Sequence, residues 1–469
     1  MCFVLRINIQ AFFPTASVLY LIIAWDRICM FIKKRIQSTS FKMLLRKGGK
    51  NFFHTNSGGM GKEKCINNIV LAGLQYDNNL GDQVIFSVTQ YMLKESLSKI
   101  GFHDMEIREM DIFGRDALQS NPFREKIAHF SPLLHVLRAL YKISKCKSIA
   151  EIHEKILCRL IAKASCDTII DKYTKAIIFS GGGLIKYNVQ YIDQYIIPII
   201  KYADNRKIPV MLSAVGIENG YDPKNMHCRG LKKALNRNCV KTISTRDDFY
   251  TLRHYYSREE QSVFLVADPA CSIQRYYKPH GKRNKNLIGL GLSRGDLFED
   301  YGVPVTATNL VELWAEIYYC LQDQGYNCKI FCNGAKSDFA FINQWMEYMS
   351  FSEKQKIQLC YPRPLSSEEL IEIICSFNGV ISTRLHTSII SYSYDIPSIS
   401  LVWNQKQKMF GDAIGYPDRF IEYKDFNANK IVNKLKLAIK EGYQMIDKNK
   451  YCSTTQACIE QFIERTFNR

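Results

Sequence analysis

The chain is an alternation of two patterns. From Ile69 onward, short β-branched or apolar runs give way to longer amphipathic stretches. Ile69–Leu74, Ala176–Phe179, Val210–Ala214, Thr242–Ser244 and Val263–Val266 read as strands. Asp82–Ile100 reads as a helix with a broad apolar face at Val84, Ile85, Val88, Met92, Leu93 and Leu97. A second series opens with Leu287–Leu292 and continues near Lys329–Cys332, Ile357–Leu359, Gly379–Ser382 and Ser398–Val402, with a late helix near Asn427–Glu441. Such alternation predicts parallel sheets covered on both faces, hence two doubly wound α/β domains facing a cleft.

At 469 residues the chain has room for two or three domains. Residues 60–275 read as an N-terminal domain with a helical insertion near 115–173. Residues 276–286, with Pro279 and Gly281 among Tyr, Lys and Arg, read as a linker. Residues 287–440 form the expected C-terminal domain, and 441–469 a helical tail.

The first 59 residues stand apart in charge. They hold nine basic residues (Arg6, Arg27, Lys33, Lys34, Arg35, Lys42, Arg46, Lys47, Lys50) against Asp26. Nearly half of the net +18 lies there, and the rest of the chain is only mildly basic. Ile7–Trp25 carries no charge, and as a helix it would span about 29 Å, close to a bilayer core. Three readings are open: upstream sequence translated ahead of a start at Met60, a membrane anchor with its basic flank in the cytoplasm, or a basic helix lying on a membrane surface. The last two would bring the protein to the inner face of the membrane; the first leaves it cytoplasmic.

Composition excludes several classes. No zinc-finger spacing, RNP-like aromatic motif or leucine zipper occurs, so no nucleic-acid partner is expected. The sixteen cysteines contain no CxxC pair, which argues against a zinc ribbon and for reduced thiols in a cytoplasm. No cluster of His, Cys and carboxylates has familiar ligand spacing, so no metal is expected.

In open α/β sheets, ligands sit beyond the carboxyl ends of the strands, and four motifs fall there. Asp77-Asn78-Asn79-Leu80-Gly81-Asp82 joins a strand to a helix; Asp82 suits a helix cap, and the free N–H groups suit an anion. Ser180-Gly181-Gly182-Gly183-Leu184 lets backbone approach a ligand or a neighbouring chain. In Ser244-Thr245-Arg246-Asp247-Asp248, Thr245 suits a cap, and a cation in a first helical turn opposes the macrodipole. Arg246 there calls for an anionic partner, Asp247 or a bound carboxylate or phosphate. Ser382-Thr383-Arg384-Leu385-His386 places an Arg and a His together at a second helix start.

Taken in order, these motifs resemble the polysaccharide pyruvyl transferase family. The match also takes in Asp268-Pro269-Ala270, Ile396-Pro397 and Trp403-Asn404-Gln405-Lys406, and covers about residues 66–412. Trp403 departs from the smaller or Tyr-like residue common there, and acceptor contacts are not recognisable. The resemblance implies a GT-B-like fold of two Rossmann-like domains. It implies transfer of a pyruvyl group from phosphoenolpyruvate to two sugar hydroxyls as a cyclic ketal, with no cofactor beyond that donor. It also implies that Arg246, Arg384 and His386 contact the donor. Asn79, Gly81, Gly182, Gly183, Leu385 and Asn404, in the same motifs, are expected to line the substrate site. The acceptor would be a sugar or lipid-linked oligosaccharide of a surface polysaccharide.

The residue types suit that chemistry. Two arginines and helix N-termini clamp a carboxylate and a phosphate. A histidine can protonate the methylene carbon near neutral pH, which makes C2 electrophilic. Asp82 either caps its helix or accepts a hydroxyl proton. Two other functions share this silhouette: a GT-B glycosyltransferase using a nucleotide sugar, and a non-catalytic membrane-tethered scaffold in polysaccharide assembly.

Overall fold

The protein is described by a computed structural model over residues 66–187, 191–218, 220–258 and 262–467. The segment 1–59 and its apolar run therefore lie outside the described residues. Among the described residues no helix is long and apolar enough to cross a membrane.

Six parallel strands form the first sheet: β1 (Asn68–Gly73), β2 (Glu106–Asp111), β3 (Thr174–Ser180), β4 (Val210–Val215), β5 (Val240–Thr245) and β6 (Val263–Leu265), in the order β2-β1-β3-β4-β5-β6. Five more form the second: β7 (Asn284–Gly291), β8 (Asn327–Phe331), β9 (Phe377–Ser382), β10 (Ser398–Val402) and β11 (Phe420–Glu422), in the order β11-β10-β9-β7-β8. All pairings are parallel, and helices cover both sheets. The α/β, GT-B-like class of two doubly wound domains is what the chain adopts.

The central strands β1, β3 and β4 are buried on nearly every residue, which is why they read as continuous apolar runs. The edge strand β2 is Glu-Ile-Arg-Glu-Met-Asp, half exposed, and its charges hid it from periodicity. Three helices, Pro122–Phe130, Pro132–Ser144 and Lys147–Ile169, fill the stretch between β2 and β3.

Two expectations are corrected. Ile357–Leu359 is the end of the helix Glu353–Leu359, started by a capping box in which Ser352 and Gln355 bond each other's backbone. β7 begins at Asn284, inside the stretch read as linker. The last helix, Met445–Phe467, packs Cys458, Ile459, Phe462 and Ile463 against the helix Leu80–Ile100 and the first sheet. Its Lys448 reaches back to Ser393 O at 2.7 Å and Asp395 Oδ1 at 2.6 Å beside the second sheet. One apolar cluster also runs through both layers, joining Val88 and Met92 to Ile371, Ile374 and Ile389.

Candidate functional site

Each sheet order contains one reversal. The chain leaves β1 and β3 toward opposite sides, and likewise β7 and β9, so each pair opens a crevice at its carboxyl ends. Residues 74–79 and 181–184 lie at the first crevice; residues 292–296 and 383–384 lie at the second. The four motifs are on these loops or beside them, and the two crevices meet. Leu80 N donates to Asn333 O at 3.1 Å, from the loop after β8. A Cβ on Gly81 would fall 2.1 Å from His386 Cγ, so the first helical turn of one domain rests directly on the imidazole of the other.

Asp82, Arg246 and His386 share this junction. Arg246 Nη1 lies 3.4 Å from His386 Nε2 and donates to Asp268 Oδ2. An arginine can only donate, so Nε2 accepts and the ring proton sits on Nδ1. Arg246 Nε is buried without a partner. His386 is only 7% exposed; burial, then the cations Arg246, Lys406 and Arg384, push its pKa well below the ordinary value. The imidazole is therefore neutral in the free protein. Asp82 moves the other way: burial, and then Asp77, raise its pKa to about 6 against the pull of Arg246, Lys186 and Lys406.

Three placements at helix starts change. Asp82 is not the cap of its helix. Asn79 holds that position, and Asp82 sits in the first turn, where its Oδ2 accepts from Asn79 Nδ2 at 2.9 Å. Arg246 lies before its helix rather than in it, because Phe249–Tyr255 starts later and is capped by Asp248. Its required anion is Asp268, at the start of the 3-10 turn Pro269–Arg275. Thr245 is the last residue of β5 and donates to Val215 O at 2.8 Å instead of capping.

Gly182 takes φ +75°, a left-handed conformation natural to glycine, and a Cβ there would lie 3.3 Å from Asp82 Oδ1. Gly183 faces Glu218 and Lys406 in the same way. Lys406 Nζ donates to Glu218 Oε1 at 2.6 Å and lies 4.0 Å from Asp247 Oδ2. Burial alone would raise the pKa of Glu218, but Lys406 and Lys186 hold it down at about 2.

Three further expected site residues have structural partners. Arg384 forks onto the fully buried Asp338, Nε to Oδ2 at 2.9 Å and Nη2 to Oδ1 at 2.5 Å. Leu385 starts the helix Leu385–Ser393 and packs on the shared apolar cluster. Asn404 caps the helix Gln405–Ala413 by accepting from Gln407 N at 3.2 Å. Trp403 Nε1 and Gln407 Nε2 both donate to Thr383 O, at 2.6 and 3.0 Å, and so fix the backbone entering Arg384. Lys406, Glu218, Asp268 and Asp338 are members of these networks that the sequence reading gave no role. Lys406 and Asp268 stood inside matched motifs, and only their distant partners explain them.

Two doubly wound parallel sheets, with charged residues meeting at their strand ends, define a two-domain α/β protein. The sequence profile described as polysaccharide pyruvyl transferase matches residues 79–405, and the chain belongs to that family. Among solved structures it is similar to UDP-GlcNAc 2-epimerase from Methanocaldococcus jannaschii in complex with UDP-GlcNAc and UDP. That match has 10% identity and a TM-score of 0.47, over 86% of this chain and 99% of that one. It is also similar to UDP-GlcNAc 2-epimerase from Neisseria meningitidis bound to UDP-GlcNAc (9%, TM-score 0.42, 86% and 99%). A third is the glycotransferase of kitacinnamycin (8%, TM-score 0.45, 86% and 99%). No curated protein sequence gives a match.

Proposed function

We propose that the protein moves the pyruvyl group of phosphoenolpyruvate onto two hydroxyls of a sugar, free or lipid-linked, and closes a cyclic ketal. The observation that carries this reading is the buried His386 held against Arg246 at the domain junction, with Lys406 and Arg384 adding to the field on it. An imidazole among cations is a poor acid until an anion joins it. Phosphoenolpyruvate brings a carboxylate and a phosphate, which offset those cations and favour the imidazolium. The donor thereby charges the acid that activates it. His386 then protonates the methylene carbon, C2 becomes electrophilic, and a sugar hydroxyl attacks. Asp82, with its pKa raised toward neutrality, takes that hydroxyl's proton. Arg246, through its unpaired Nε, and Lys406 steady the anionic groups. The reaction would run on the cytoplasmic side of the membrane, in the making of a surface polysaccharide.

The test is phosphate release from phosphoenolpyruvate with a panel of methyl hexopyranosides and lipid-linked glycans, run beside nucleotide release from UDP-sugars. Acceptor-dependent phosphate release supports the reading. Nucleotide release without it turns the assignment to glycosyl transfer. Failure to bind phosphoenolpyruvate by calorimetry, with neither release, favours a scaffold.

A further inference from the structure

We infer that Asp247 takes the proton of the second sugar hydroxyl as the ketal ring closes, after Asp82 has taken that of the first. The inference rests on the pyruvyl-transfer reading above.

The two carboxyl oxygens of Asp247 have different surroundings. Oδ1 is well satisfied: it accepts from Ile217 N at 3.0 Å and Asp248 N at 2.7 Å, and Thr245 Oγ1, whose one proton it shares with Val215 O, lies at 3.0 Å. Those bonds tie the end of β5 to the loop after β4. Oδ2 is buried and has no hydrogen-bond partner, in a side chain 4% exposed. Its nearest cation is Lys406 Nζ at 4.0 Å, too far for a hydrogen bond, and a buried carboxylate oxygen without one costs free energy unless something answers it. It lies beside Lys406, one of the cations acting on His386: a Cβ on Gly216 would fall 3.1 Å from both Asp247 Oδ2 and Lys406 Nζ. Asp247 and Asp82 both act on the Arg246 guanidinium, so the two carboxylates border one charged centre. Of the other nearby carboxylates, Asp268 is bonded to Arg246, and Glu218 is bonded to Lys406 and held ionised at about 2, which makes it a weak base.

Ketal closure releases two hydroxyl protons in turn. In the first half, the C2–C3 π pair forms the new C3–H bond with the proton of His386. The first hydroxyl oxygen bonds C2, and its proton passes to Asp82. In the second half, the C2–O bond to phosphate breaks and its electron pair leaves with the phosphate. The second hydroxyl oxygen bonds C2, and its proton passes to Asp247. Of the two hydroxyl protons, one restores His386 and one departs with phosphate. No oxidant or reductant enters.

The experiment uses the full chain, phosphoenolpyruvate, deuterated water, and whichever methyl hexopyranoside wild type turns over, with its mono-O-methyl ether. Wild type with the ether can add only once, so it exchanges deuterium into the donor's methylene without forming ketal. Asp247→Asn, offered the full diol, is expected to show that same pattern: exchange retained, donor Kd within a few-fold, and ketal formation slowed by roughly 10²–10⁴. Asp247→Ser should lose ketal formation likewise and regain part of it in added formate. Near-normal ketal formation in either folded variant, or loss of exchange together with ketal, overturns the assignment. So does failure of both variants to fold by circular dichroism, which would make Asp247 structural. A wild type that releases no phosphate with any acceptor sinks the pyruvyl-transfer reading itself, a separate outcome.

Discussion

Arg246 Nη1, one residue past the end of β5, lies 3.4 Å from His386 Nε2, in the first turn after β9, so one sheet supplies the cation and the other the imidazole. Neither has a neutral setting without its neighbours. The guanidinium is held by Asp268, and the ring is kept unprotonated by burial and by the cations around it.

Donor binding should therefore take up a proton. Calorimetric titration of phosphoenolpyruvate near pH 7, in buffers of different ionisation enthalpy, should give apparent enthalpies that differ by the buffer's own heat, with uptake of up to one proton. Identical enthalpies across buffers would mean that His386 stays neutral in the complex.

Arg384 should act first on stability. Removing one partner of a buried ion pair leaves the other uncompensated, typically at about 3–5 kcal/mol. Arg384→Ala is expected to destabilise the fold on that scale in denaturant unfolding, because Asp338 is fully buried. Adding Asp338→Asn should recover most of the loss. Donor affinity in the double variant, expected to fall tenfold or more, then separates donor binding from scaffolding. Unchanged affinity would confine Arg384 to holding the loop.

The fold was legible wherever burial made the sequence extreme. Strands β1, β3, β4 and β9 are apolar because both faces are covered, and the turns that end them carry the motifs. Edge strands β2 and β11 were not, since exposed positions take charges and three residues show no period. In the site, Asp82, Arg246 and His386 could be named from strand-end position. Their partners could not: Asp268 is 22 residues from Arg246, and Asp338 is 46 from Arg384. Local spacing says nothing about a pairing made by the crossing of two sheets. The caps failed for a nearer reason: each helix starts a few residues from where the polar residue suggested.

Asp82 should cost stability at neutral pH. Its folded pKa, about 6, stands above the ordinary carboxyl value of 3.8. A raised carboxyl pKa favours the fold below about pH 4, and that advantage is lost as pH rises through 6. At pH 7.5 the ionised carboxylate opposes folding by roughly 3 kcal/mol at most, for a shift of about two pH units. Asp82→Asn is expected to raise Tm at pH 7.5, to leave it near wild type at pH 4, and to lose most turnover. A lowered Tm at pH 7.5 would show that Asp82 is a structural carboxylate.

Gly81→Ala tests the contact between the domains. In a helix this change ordinarily stabilises by about 0.5–1 kcal/mol. Here the new methyl would fall 2.1 Å from the His386 ring, so the two crevices cannot meet as they do. The expected result is an intact far-ultraviolet spectrum and a strongly reduced rate of phosphate release. Full activity would show that the reaction does not use this junction.

His386→Gln separates chemistry from packing. The side chain keeps hydrogen-bonding capacity but cannot pass a proton to carbon, so turnover should fall by roughly 10²–10⁴ while donor affinity stays within a few-fold. The pH dependence of stability supplies a second readout. A buried histidine whose folded pKa lies below its unfolded value near 6.5 binds fewer protons folded than unfolded. Its contribution is complete above pH 6.5 and lost as pH falls toward the folded pKa. Glutamine does not titrate, so the variant should lose less stability than wild type between pH 6.5 and 5. Urea unfolding at several pH values measures that slope, and pyruvyl-transfer rates on the same preparation measure the chemistry. A variant with parallel pH dependence and near-normal rate would show that His386 is neither the buried neutral group nor the acid.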